Sequence, residues 1–222
     1  MTVAAALLVL TDGRFPAGGH AHSGGAEAAV RAGRVTDSAT LEDFCRGRLH
    51  TAGLVASGLA AAAAAGVHDP RTLDEAADAR TPSPALRRTS RRLGRQLMRA
   101  ARAAWPSPAL DALAAARPQG AHQPVVLGLV VAAAGLTPQD GAYAAAYESV
   151  SGPATAAVRL LALDPFEATA VIARLAPDMD GVAGEAAEAV RGGVDALPAA
   201  SAPLLEVTAE QHAAWPVRLF AS

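Results

Sequence analysis

From Asp12 to Glu27 the chain sets two carboxylates (Asp12, Glu27), two imidazoles (His20, His22), one guanidinium (Arg14) and one alcohol (Ser23) among five glycines and a proline. Asp12 and Glu27 could form a carboxylate pair for acid–base work, although such residues more often cap helices or hold loop amides. His20 and His22, one residue apart, offer two imidazoles to a transition metal. Ser23 beside His22 supplies a nucleophile and a base by type. A working nucleophile, however, needs a base oriented by a third group, and adjacency does not provide that. The other histidines, His50, His68, His122 and His212, stand singly. Cys45, the sole cysteine, falls on an apolar helical pattern and reads as core. The sequence therefore predicts no metal site, no cofactor and no catalytic group.

Composition narrows the classes further. All 19 basic residues are arginine. Without lysine there is no Gly-Lys-Ser/Thr phosphate loop and no Schiff-base chemistry. A net charge of −2 exerts no general pull on nucleic acid. One cysteine permits no internal disulfide and fits a reducing compartment. Residues 1–10 are apolar but lack a cationic start and a clear cleavage site, and the run 125–134 is too short to cross a bilayer. The expectation is a cytoplasmic chain with no membrane or nucleic-acid partner.

The elements that must position these residues are helical. The chain is 51% hydrophobic but only 4% aromatic, so its core is built from Ala, Leu and Val, and strand formers are sparse. The pattern predicts an all-α, single-domain bundle of about ten helices over 1–222. A short helix at 3–10 precedes the glycine-rich loop, and another covers 23–31. A long helix fits 38–65 by its three- and four-residue apolar steps. Thr72 to Glu75 has capping-box spacing and opens a short helix. Ser83-Pro84, Ser107-Pro108, Thr137-Pro138 and Asp164-Pro165 each set a capping side chain before proline at the first helical position. They predict helices at 84–104, 108–116, 138–161 and 165–175, with Gly152-Pro153 kinking or dividing the third. Further helices fit 124–134 and 180–191. On the helix at 84–104, Arg87, Arg88, Arg91, Arg92, Arg95, Arg99 and Arg102 line one side. They read first as a solvated or internally paired face, and second as a docking surface for an acidic partner.

Read in order, Asp12, Pro16, Gly18, Gly19, His22, Ser23, Gly25 and Glu27 resemble the N-terminal motif of the UreF family of urease accessory proteins; Gly13 and His20 depart from it. The far end is similar as well. Glu206, His212, Arg218, Leu219, Phe220 and Ser222 occupy the places of the family's ending, while Ala213 replaces its usual glutamate and Pro216 is unusual there. Between them, residues 90–94, 125–128 and 156–160 look like family segments, the last with its basic residue at Arg159. The resemblance implies a non-enzymatic, helical, dimeric chaperone of urease maturation. Such a chain joins a second accessory protein, UreD (also called UreH), recruits the GTPase UreG, and serves nickel insertion into apo-urease. By the same resemblance, the matched residues of 12–27, Arg159, and His212, Arg218, Leu219, Phe220 and Ser222 are partner-binding, and 204–222 is a partner-binding tail. Two alternatives accompany it: a stand-alone GTPase activator inserting Arg14 or Arg159, and transient nickel contact at His20 and His22. Leu219 and Phe220 are expected to be an exposed apolar pair that a partner covers.

Overall fold

The computed structural model describes residues 3–220. Among them run twelve α-helices and no β-strand: α1 (Val3–Thr11), α2 (Ala26–Arg31), α3 (Ser38–Arg48), α4 (Leu54–Ala65), α5 (Pro70–Ala79), α6 (Pro84–Ala104), α7 (Pro108–Ala116), α8 (Gln123–Ala133), α9 (Pro138–Leu161), α10 (Pro165–Arg174), α11 (Ala176–Ala189) and α12 (Pro203–Ala213). The all-α expectation holds. The proline-led starts fall at 84, 108, 138 and 165 as read from the sequence, and Ser83, Thr137 and Asp164 each accept a backbone N–H as caps. Ser107 makes no such bond.

α4 is central because it has almost no bulk. Ala60, Ala61, Ala62 and Ala63 are all buried, and a helix apolar all round must be surrounded. α8 and α9 pack on it. A Cβ on Gly128 of α8 would lie 2.2 Å from the Ala60 carbonyl oxygen, so the close α4–α8 crossing requires glycine there. Around this centre, one apolar cluster joins α4, α6 and α8, and a second joins α3, α9 and α11.

Several boundaries differ from the sequence reading. The helix expected over 38–65 is interrupted by a π turn at Leu49–Gly53, which the apolar spacing does not reveal. α5 begins at Pro70, capped by Asp69 rather than Thr72, another instance of the Asp-Pro device. α11 starts at Ala176, earlier than 180, and the tail expected from 204 onward contains α12. Pro153 neither divides nor ends α9. Proline removes the N–H that would bond the Ser149 carbonyl, and Arg48 Nε donates to that carbonyl instead, at 3.1 Å. A side chain from α3 thus supplies the donor that the proline lacks.

Candidate functional site

Glu27 lies in the first turn of α2, buried, with its carboxylate turned toward the end of the chain. Oε1 accepts the Leu219 N–H at 2.7 Å; Oε2 accepts the Phe220 N–H at 2.9 Å and the His212 Nε2–H at 2.9 Å. A carboxylate only accepts, so His212 carries its proton on Nε2 here. Ser23 Oγ accepts the Glu27 N–H at 3.3 Å and so helps hold the start of α2. Burial alone would push the Glu27 carboxyl up, but the Leu219 N–H, the His212 imidazole and the Phe220 N–H outweigh it and hold it below its ordinary value. His212 is fully buried and its ring lies 4.6 Å from that of Trp215. Two cations flank the aromatics: Arg31 Cζ sits 4.2 Å from the centre of the Trp215 ring, and Arg159 Cζ sits 5.3 Å from that of Phe220. The two ends of the chain are therefore clasped together through one carboxylate.

The glycines shape the loop that leads into this clasp. Gly18 and Gly25 both have positive φ, +80° and +95°. A Cβ on Gly18 would collide with the Gln96 side chain of α6, and one on Gly25 with Leu205 of α12. Gly19, by contrast, has no positive φ and open space beside it. Phe15 stacks on Trp105, ring centres 5.8 Å apart, which fixes the loop's outer turn.

Of the residues nominated from sequence, Ser23, Glu27, Arg159, His212, Leu219 and Phe220 converge on the clasp, and Gly25 borders it against α12. Asp12 does not pair with Glu27. It takes both the N–H and the guanidinium of Arg14, which holds its carboxyl down at about 2. His20 is exposed and His22 buried. Pro16 and Arg218 are exposed, and Ser222 lies outside the described residues. The expected exposed pair is split: Leu219 is exposed but Phe220 is buried at 5%, drawn inward by its N–H to Glu27. Neither arginine nominated as a finger projects without a partner, since Arg14 is tied to Asp12 and Arg159 covers Phe220. Arg31 and Trp215 were missed from sequence. A tryptophan in a chain so poor in aromatics was the available signal.

The arginine face of α6 is mixed. Arg88, Arg92, Arg95, Arg99 and Arg102 are exposed, whereas Arg91 reaches Asp74 and Asp78 of α5 at 3.1 and 2.6 Å. Beneath it, His122 is buried between Ser90 Oγ (3.0 Å from Nδ1) and Asp78 Oδ1 (2.9 Å from Nε2). Serine, histidine and aspartate in line suggest nucleophile activation by type. Here Ser90 Oγ also accepts the Gln123 N–H, and Asp78 is shared with Arg91, so these groups are spent joining α5, α6 and α8. Burial foremost pushes the His122 imidazole down, favouring its neutral form.

Comparison with known proteins decides the family. The UreF family model matches residues 35–176. Urease accessory protein UreF of Mycobacterium sp. (strain JLS) is 47% identical over the whole of both chains. Its namesake of Mycobacterium marinum is 45% identical, again over both whole chains. That of Mycobacterium tuberculosis is 43% identical over 96% of this chain and 95% of its own. The chain belongs to the UreF family. The clasp residues Glu27, His212 and Phe220 fall outside the segment matched by the UreF family model, yet within the full-length alignments to the mycobacterial UreF proteins. Membership carries a urease accessory role, consistent with urease maturation. No helix of the described residues is long and apolar enough to cross a membrane.

Proposed function

We propose that this chain is a cytoplasmic adaptor of urease maturation that binds the UreD/UreH accessory protein and recruits the GTPase UreG for nickel insertion into apo-urease. It acts as a pair of copies, without chemistry of its own. One observation carries the reading. Around the clasp, α12 and the segment after it leave Leu204, Val207, Val217 and Leu219 between 53% and 78% exposed. Apolar side chains left exposed in this way on a helix and the segment that follows it are what a protein partner covers. The clasp holds that segment in one shape before the partner arrives, which lowers the ordering cost of binding. With no lysine in the chain, the nucleotide-binding loop belongs to the partner. Mixing the purified chain with UreD/UreH and UreG and weighing the products tests the proposal. A complex containing all three is expected; a chain that joins neither protein contradicts it.

A further inference from the structure

A groove of about 460 Å³ runs between α3 and α12. Phe44 forms one wall, Leu204 and Leu205 the other, with Gly25 bordering it; Arg34 and Arg48 supply its positive charge. Asp43, the acid at its edge, is 3.6 Å from Arg46, outside the groove. Unlike Arg46, Arg91 and Arg117, which meet carboxylates, Arg48 makes one hydrogen bond among the described residues, from Nε to the Ser149 carbonyl. Among the described residues its Nη atoms have no acceptor and no ion pair. Arg48 is half-buried, and burial pushes its guanidinium down from its ordinary value. A guanidinium with Nε occupied still offers four N–H donors on its two Nη atoms, two of them side by side in one plane, the geometry that fits a carboxylate.

We infer that this groove receives an aspartate or glutamate of the accessory-protein partner, with the carboxylate seated on the Nη atoms of Arg48 and flanking apolar side chains lying on Phe44 and Leu205. The inference rests on the docking face proposed above and deepens it. Leu204 belongs both to the groove and to that face, so one partner segment can cover the two together. Continuity with the face favours a protein segment over a free carboxylate, and the net positive lining favours an acidic one.

The test is the affinity of the full-length chain for the purified UreD/UreH protein by calorimetry. Arg48→Gln should weaken binding about 30-fold or more, the usual consequence of truncating one side of a desolvated charge pair. Arg48→Lys should fall between, because it keeps the charge and loses the fork. Gly47→Glu probes the groove without removing Arg48. Gly47 lines the groove at an exposed helical position with open space beside it, so a glutamate there would repel an incoming acid while leaving the bond from Arg48 to Ser149 untouched. It should block binding to a similar degree with unchanged helicity. One Asp or Glu of the partner changed to its amide should give the same loss, not additive with Arg48→Gln. Binding within about twofold for both Arg48→Gln and Gly47→Glu, while Val207→Ser with Val217→Ser, outside the groove, abolishes it, overturns the groove and leaves the docking face standing. If none of these variants weakens binding, both readings fall. If Arg48→Gln instead shifts self-association in sedimentation while partner affinity stays constant, the groove faces a second copy and the inference is wrong.

Discussion

Glu27 accepts three hydrogen bonds from the far end of the chain and is the single residue whose loss unties it. Glu27→Gln replaces an all-acceptor group with an amide that points a donor at other donors. The expected cost is about 2 kcal/mol, within the range for hydrogen bonds to charged groups, read as a lower urea midpoint with unchanged helicity. The pH response follows from the depressed carboxyl. Its stabilisation is full above the ordinary carboxylate range and fades as pH falls through the lower folded-state value. Glu206 acts in the opposite sense, because burial raises its carboxyl. The acid effect therefore belongs in local hydrogen exchange at the Leu219 and Phe220 amides, which should accelerate before the global transition. Exchange that follows global unfolding at every pH would contradict this. The loop glycines give a sharper contrast. Gly18→Val should impair assembly, being strained by both φ and the Gln96 contact, while Gly19→Val should pass nearly unnoticed. His20→Phe should be silent in a urease-activation assay, and a strong loss of nickel delivery with assembly intact would favour a metal-handling loop.

At the scale of elements, α12 is held by its contacts with α6. Glu206 accepts the Ser83 N–H at 2.7 Å, and Glu210 accepts the Ala85 N–H at 2.7 Å and the Ser83 hydroxyl, so two carboxylates sit on the positive end of α6. Ser83 Oγ also accepts the Leu86 N–H as the cap. Ser83→Ala should cost about 1 kcal/mol in chemical denaturation, the usual value of an N-cap, and should loosen α12 in exchange measurements. Most of this framework was legible in the sequence. Proline after a residue of capping type marked the starts of α6, α7, α9 and α10, because proline acts locally at all four and the cap at three. The π turn and the unbroken α9 were not, whereas the start of α5 carried the same signal at Asp69-Pro70, overlooked in favour of Thr72. Arg48, 105 positions before Pro153, supplies a donor to the carbonyl that the proline orphans, and no local pattern encodes that contact. The clasp was half legible. Glu27, His212 and Phe220 stood out through the family motif, but their mutual contact spans nearly the whole chain. Phe220, read as exposed, is in fact the apolar anchor that the Glu27 carboxylate and Arg159 hold inside.

For the whole molecule, the consequence is that the segment proposed as the docking face is not a loose tail but a prearranged surface secured by the first motif of the chain. Deleting Arg218–Ser222 removes Leu219 from that face and two of the three donors from Glu27, so it should weaken partner binding and tail stability together while the helical bundle persists. The most direct measurement is the mass of the assembly formed by the full-length chain with UreD/UreH and UreG, set beside that formed by Glu27→Gln under the same conditions. A complex of all three for the natural chain, and its loss or marked depletion for a Glu27→Gln variant of normal helicity, is the result predicted. An equally abundant complex from Glu27→Gln with tail amides shown to be released would contradict it, because the partner would then be indifferent to the clasp.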